Sequence, residues 1–139
     1  MEIEDIKKSE LLIDGDIFFD HSIKNLNWFN IGGKTKILFK PNSLKGLIDY
    51  LKLYSLRGKI FILGNGSNVL FDDDTYQGTV IKLGKSFSNI TLLDKETIIA
   101  GTAVSQKKVS EFAKDNNISG LEFMSCIPGS IGGGIRMNS

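Results

Sequence analysis

The sequence predicts a mixed fold of helices and strands, a βαβ half followed by a more antiparallel half, on three observations. Residues Lys34 to Leu63 read as strand, helix, strand; Ile90 to Ala100 reads as a hairpin; and a second amphipathic helix follows from about Ser105. A parallel-type unit followed by a locally antiparallel one is what separates this class from a repeating α/β chain.

The elements can be justified in order. Before Asp14-Gly15-Asp16, a turn signal, a short helix or arm is expected, and Ile17-Phe18-Phe19 after it is strand-like. From Lys34 the chain alternates into Ile37-Leu38-Phe39, a strand halted by Pro41, which lacks the ladder donor. Asn42 or Ser43 then caps a helix with Leu44, Leu47, Ile48, Leu51 and Tyr54 at three-four spacing, ended near Gly58. The unbroken apolar run in Lys59 to Leu63 predicts a strand buried on both faces. Strand pattern resumes at Val69-Leu70-Phe71 and, after Asp72-Asp73-Asp74, at Thr79 to Leu83. Ile90 to Leu93 and Thr97 to Ala100 flank Asp94-Lys95-Glu96 as a hairpin. The helix from about Ser105 turns Val109, Phe112 and Ala113 inward and closes at Asn116-Asn117; from Gly120 the chain is loop-rich.

Composition narrows the function. The 139 residues are 41% hydrophobic and 24% charged, which suits one domain with a real core and is too short for two full ones. Seventeen basic against sixteen acidic residues leave a net charge of +1, with no basic stripe for a duplex, so nucleic acid is not an expected partner. Apolar runs such as Ile60 to Leu63 are strand-length, far below a bilayer span, and no basic-then-apolar leader opens the chain, so no membrane partner and a cytoplasmic location are expected. Cys126 alone can form neither an internal disulfide nor a four-ligand metal site, which fits a reducing compartment.

Glycine is the informative residue type. There are fifteen against two prolines, and eight of them are bunched at Gly32-Gly33, at Gly64 with Gly66, and at Gly129 with Gly132-Gly133-Gly134. In Gly64-Asn65-Gly66-Ser67-Asn68, directly after a strand, alternate glycines permit positive φ and remove the Cβ that would hold a ligand away, so successive N–H groups can converge on an anion such as a pyrophosphate. It is not a Rossmann fingerprint, since Val69 stands where the third glycine would, and not a Walker loop, since no Gly-Lys-Ser/Thr follows. A tight turn between strands fits the same five residues. In Pro128-Gly129-Ser130-Ile131-Gly132-Gly133, proline fixes φ and the glycines let a helix or loop open with bare backbone and the Ser130 hydroxyl toward a phosphate; a flexible terminal tail is the alternative. Gly32-Gly33 after Trp28-Phe29 suits a turn stapled by aromatics, or a plain hairpin turn.

Acid-base chemistry is thin. His21 has no partner at ligand spacing, Asp72-Asp73-Asp74 suits either Mg²⁺ or a solvated loop, Cys126 has no adjacent base, and Glu122 has no second carboxylate. No triad, carboxylate pair or zinc set assembles, so catalysis would need a cofactor or another segment.

Four motifs in order resemble the flavin-binding region of the UDP-N-acetylmuramate dehydrogenase family, from about Asn27 to Ser139. The family's Asn-x-Phe-Arg-x-Gly-Gly is met by Asn27, Phe29, Gly32 and Gly33, with Asn30 in place of arginine; Gly-x-Gly-Ser-Asn is complete at Gly64 to Asn68; Gly-Leu-Glu-Phe stands at Gly120 to Phe123; and Gly-Ile-Pro-Gly-Ser/Thr-x-Gly-Gly is met from Ile127 to Gly133, with Cys126 in place of its first glycine. The resemblance implies an α+β FAD-binding domain of the p-cresol methylhydroxylase type, with two small α/β subdomains and FAD extended between them. It implies an N-terminal arm over 1–26, a first subdomain over 27–84 and a second, incomplete one over 85–139. It further implies FAD as cofactor and NADPH as reductant, with hydride passing from reduced flavin to the enolpyruvyl group of UDP-N-acetylglucosamine enolpyruvate in peptidoglycan synthesis. Gly64, Asn65, Gly66, Ser67 and Asn68, with Pro128, Gly129, Ser130, Gly132 and Gly133, would hold the pyrophosphate, and Met137 and Asn138 would lie near the flavin. The family's later arginine, serine and glutamate have no counterpart, and Arg136 does not match that arginine, so the chain is expected to be the N-terminal part of such a reductase, inactive alone and without its substrate domain. A noncatalytic flavin- or nucleotide-binding module and a truncated remnant are the competing expectations.

Overall fold

The computed structural model describes residues 13–54 and 58–139. The arm or helix expected before Asp14 lies largely outside them, as does the stretch just before Gly58. Strand β1 (Gly15–Ser22), β2 (Lys34–Pro41), helix α1 (Leu44–Tyr54), β3 (Lys59–Leu63) and β4 (Tyr76–Lys82) are followed by β5 (Ile90–Leu92), β6 (Ile98–Ala100), α2 (Gln106–Asp115) and α3 (Ile131–Met137). The fold is α+β: one four-stranded mixed sheet in the order β1-β2-β4-β3, and one two-stranded antiparallel sheet, β5-β6.

The unit β2-α1-β3 forms as the sequence implies, but its two strands are not neighbours. Strand β4 enters between them, parallel to both, with Leu38 opposite Val80 and Phe61 opposite Val80. This corrects the expectation that β3 is buried on both faces. It is an edge strand, and Ile62 is 63% exposed. Its apolar run is also what a central strand would show, because periodicity does not report position in a sheet. Residues 15–22, within the segment read as an arm, pair antiparallel with β2 as the opposite edge.

Both faces of the sheet carry a core. On one, Phe39 and Ile81 pack with Ile13, Tyr50 and Tyr54; on the other, Leu38, Val80 and Leu63 pack with Ile23, joined by Leu26, Phe61, Val69 and Phe71. The second layer is irregular chain with a 3₁₀ turn at Lys24–Leu26, not an α-helix. Val69-Leu70-Phe71 is part of it and forms no strand. The in-out alternation is real, since Leu70 is exposed while its neighbours pack inward, but these residues belong to the crossover from β3 to the parallel β4 and pair with no ladder.

In α1 the Ser43 hydroxyl accepts the Gly46 amide at 3.1 Å, so of the two candidate caps Ser43 makes the bond. The buried stripe is rotated from the expected one. Leu44 and Ile48 are exposed, and the helix is anchored by Tyr50, whose ring stacks on Phe39 at 4.0 Å between centroids. Gly46 is required because a Cβ there would collide with the Asp14 carbonyl. Tyr50 lies outside the expected Leu44-Leu47-Ile48-Leu51-Tyr54 stripe, yet it is fully buried, and its hydroxyl is satisfied internally by Thr79 Oγ1 at 2.7 Å.

Helix α2 starts one residue later than its cap, Ser105, which accepts the Lys108 amide at 3.2 Å, and Asn117 beyond its end has φ 57°, the left-handed conformation asparagine tolerates. The segment expected to be loop-rich contains a 3₁₀ turn at Glu122–Cys126 and helix α3, which holds three consecutive glycines. Its cap and tertiary contacts supply what propensity lacks.

Burial pushes the Tyr50 phenol up to about 12, against the opposing effect of its bond to Thr79. The neutral phenol is therefore favoured in the fold, and the stability it brings is present below pH 10 and lost as pH rises toward 12. Tyr50→Phe is expected to cost about 1 kcal/mol at neutral pH. Urea denaturation should also show a shallower decline for the variant than for the parent across that alkaline window.

Candidate anion-binding site

The parallel strands deliver their carboxyl ends to one edge, the usual place for a ligand in such sheets. There β3 ends at Leu63, opposite Lys82 at the end of β4, and the chain passes into Gly64-Asn65-Gly66-Ser67-Asn68. Lys82 donates from Nζ to the Gly64 carbonyl. Gly66 has φ 69°, and a Cβ on it would collide with the Leu26 carbonyl and lie 2.7 Å from Asn27 Cα. Only glycine meets both demands.

The loop that presses on Gly66 is tied by Asn27. Its buried Nδ2 donates to the carbonyls of Ile23, Lys24 and Ile31, at 3.2, 3.3 and 2.8 Å, while the Trp28 amide donates to Gly66 O at 3.0 Å. Asn27 Oδ1 is buried and has no hydrogen-bond partner among the described residues. The staple of Gly32-Gly33 by aromatics is not what forms: Trp28 and Phe29 are about 60% exposed. These glycines instead allow main chain to meet main chain. A Cβ at Gly33 would collide with the Asp73 carbonyl, one at Gly32 would lie 2.6 Å from Phe71 Cβ, and the Gly33 amide donates to Asp72 O at 2.9 Å. Asn30 has φ 54°, which asparagine tolerates well.

The second glycine segment comes from the far end of the chain and lies against the first. Ser67 Oγ donates to Pro128 O at 3.3 Å, and a Cβ at Gly64 would sit 2.9 Å from Ser130 Oγ. Gly129 has φ 130°, and its carbonyl accepts the Gln106 amide at 3.1 Å. Ser130 is buried and bridges to Ser105 in antiparallel fashion. Its hydroxyl caps α3 by accepting the Gly133 amide at 3.2 Å.

Ten of the twelve expected site residues are thus brought into two abutting segments. Met137 and Asn138 stand at the other end of α3, about 10 Å along its axis from Ser130. Met137 is exposed, and Asn138 ends the helix with φ 54°. The amides within the two segments are not equivalent. Those of Asn65, Gly66, Ser67, Asn68, Gly129 and Ser130 donate to no other described residue, whereas Gly132 donates to Thr102 O at 2.9 Å and Gly133 to Ser130 Oγ. Gly132 and Gly133 therefore serve close packing rather than offering free donors; a Cβ at Gly132 would lie 3.1 Å from Thr102 Cβ.

Lys82, Gln106 and Thr102 were not singled out from the sequence. Lysine at a strand end, threonine in a turn and glutamine at a helix start carry no motif, and the burial of Gln106 against the glycine segment shows only in the fold. A cavity of about 400 Å³ lies elsewhere, lined by Phe61, Val69, Phe71 and Tyr76 among others, and includes no residue of either glycine segment. Among the described residues no group of three or more His, Cys, Asp or Glu could hold a metal ion, and no helix is long and apolar enough to cross a membrane. Bare main chain with unused N–H donors is suited to a polyanion.

Residues 35–139 match the family model described as "FAD binding domain". The chain is 52% identical over its whole length to UDP-N-acetylenolpyruvoylglucosamine reductase of Pelagibacter ubique, covering 46% of that protein, and 40% identical over 92% of its length to the Rickettsia typhi protein of the same name, covering 43% of it. It spans less than half the length of these relatives. The crystal structure of UDP-N-acetylenolpyruvylglucosamine reductase from Thermus caldophilus shares the fold, with a TM-score of 0.69 and 24% identity over 90% of this chain and 42% of that one.

Gly66→Ala is expected to lower stability by about 2 kcal/mol or more, from positive φ and the clash with Leu26. Gly84→Ala, where a Cβ meets nothing within 4 Å, should stay within about 0.5 kcal/mol of the parent. Thermal unfolding of the two variants distinguishes a required glycine from an incidental one.

Proposed function

We propose, since this chain belongs to the FAD binding domain family, that its two glycine segments hold the diphosphate of FAD. What carries the reading is the set of unpartnered amides on Asn65 to Asn68, Gly129 and Ser130, on two segments that touch through Ser67 and Pro128. A cradle from which any Cβ at Gly64 or Gly66 would be expelled fits a bulky anion at main-chain distance. Asn27 Oδ1, buried and without a partner among the described residues, leaves one acceptor for a ligand donor or a water.

The flavin, when bound, supplies the hydride chemistry that no side chain here can perform. The chain's own residues bind and orient. Gly64 lets β3 approach Ser130, Ser67 ties the loop to Pro128, Gly129 turns through positive φ, and Ser130 fixes the start of α3. Pro128, Gly132 and Gly133 shape the second wall, and Met137 and Asn138 are assigned to the flavin end.

The relatives' name and the family match support a wider reading of this chain as the flavin-holding portion of a reductase; in it residues 27–84 and 85–139 would be two subdomains, and the location the cytoplasm. The reductant would be NADPH and the acceptor UDP-N-acetylglucosamine enolpyruvate, in peptidoglycan synthesis.

Titration of FAD into isotope-labelled chain tests the site. Amide resonances of Asn65, Gly66, Ser67, Asn68, Gly129 and Ser130 should move on binding, and saturation that leaves both segments unmoved overturns the assignment. Gly64→Val, which drives a side chain into Ser130, is expected to weaken FAD binding by about tenfold or more, as read by flavin fluorescence.

A further inference from the structure

Lys82 is the final residue of the central strand β4, and its ammonium reaches across to the carbonyl of Gly64, the residue that opens the first glycine segment. An ammonium has three donors, and no other hydrogen bond or ion pair uses the remaining two among the described residues. The group is half-buried. Burial, and secondly the like charge of Lys40 at the end of the adjacent β2, push its pKa down. No carboxylate contributes in the other direction. A half-desolvated cation beside a second cation, with no acidic partner, is an unfavourable arrangement in isolation. Nearby stand four consecutive amides, Asn65 to Asn68, that likewise lack acceptors. A single polyanion answers both deficits.

We propose that Lys82 is a binding residue for the diphosphate, supplying the counter-charge that the neutral glycine segments lack while holding Gly64 in place through its carbonyl. This rests on the assignment of the glycine segments to a diphosphate, and the two can fail separately. Lysine suits the role, because one donor can keep the Gly64 carbonyl while the others turn toward an oxygen of the ligand. A charge-assisted contact of this kind is short-ranged and weakens with ionic strength, which a purely structural lysine would not confer on binding.

The experiment is FAD binding to the 139-residue parent and to K82Q, K82M and K82R, at low and high NaCl. The expected result is about tenfold weaker binding by K82Q and K82M, with the salt dependence of the parent flattened in both and retained in K82R. Parent-like affinity and salt dependence in K82Q overturn the proposal; so does a loss of affinity in K82Q that leaves the salt dependence intact, which would mean that Lys82 only positions the loop. Should the neutral variants fail to fold, the Lys82 side-chain carbon resonance of the parent, titrated with inorganic diphosphate, decides: movement supports the assignment and immobility overturns it. A parent that binds inorganic diphosphate through Lys82 but not FAD would retain this inference and refute the flavin reading. One that binds FAD with the Lys82 signal unmoved would do the reverse.

Discussion

Gly64 and Ser130 lie so close that one methyl group on Gly64 would fall 2.9 Å from the serine hydroxyl, and the remainder of the site is organised around that approach. The two residues are far apart in sequence and belong to different parts of the chain, one directly following β3 and the other capping α3. Their contact is supported from both sides. Lys82 holds the Gly64 carbonyl, Ser67 reaches Pro128, and the main chain of Ser130 is clasped by its antiparallel bridge to Ser105, with Ile131 donating to Val104 O at 2.8 Å and Gln106 to Gly129 O. Side chains and main chain share the joining: Lys82 and Ser67 supply side-chain donors, and the bonds around Ser105 and Ser130 run from backbone to backbone. Backbone groups placed by neighbouring elements form a surface of donors, and such a surface tolerates almost no added bulk.

The four-stranded sheet provides the rigid support. Its two cores, one sealed by α1 and the other by irregular chain around Ile23, Val69 and Phe71, hold the ends of β3 and β4 in register, so that Leu63 and Lys82 face each other where the glycine segment begins. The irregular layer has a second use. The same residues that cover the sheet on that face, Leu26 and its neighbours, also press against Gly66, so packing on one face of the sheet is transmitted directly to the loop. Asn27 matters here because three of its bonds close the loop on itself while its Oδ1 remains buried and without a partner among the described residues.

Much of this was legible in the amino-acid order. The Gly64 to Asn68 motif, the Ser130 segment, the hairpin around Asp94 to Glu96, and the Ser105-capped helix all carry local signals: conformational freedom at glycine, side-chain capping, and three-four or alternating periodicity. These are properties of a few consecutive residues, so they survive without knowledge of the fold. Where the reading went astray, the missing information was non-local. Nothing in Lys59-Ile60-Phe61-Ile62-Leu63 distinguishes an edge from a centre, and β4 takes the central place because of how the crossover after Phe71 runs. Val69-Leu70-Phe71 alternates correctly yet finds no partner strand, and Tyr50 outranks Leu44 in the core because Phe39 and Thr79 happen to receive it.

The same division holds at the site. That glycine segments with bare amides exist, and that an anion is their natural complement, follows from residue types and spacing alone, since both depend on the absence of Cβ atoms. Which amides remain free is settled by two kinds of contact: Gly132 and Gly133 look as available as Gly64 and Gly66 in one dimension, but the distant Thr102 occupies the Gly132 N–H and the local Ser130 cap that of Gly133. The Lys82 ammonium enters the site only through the pairing of β3 with β4, because a strand's register brings together residues that the chain itself keeps far apart.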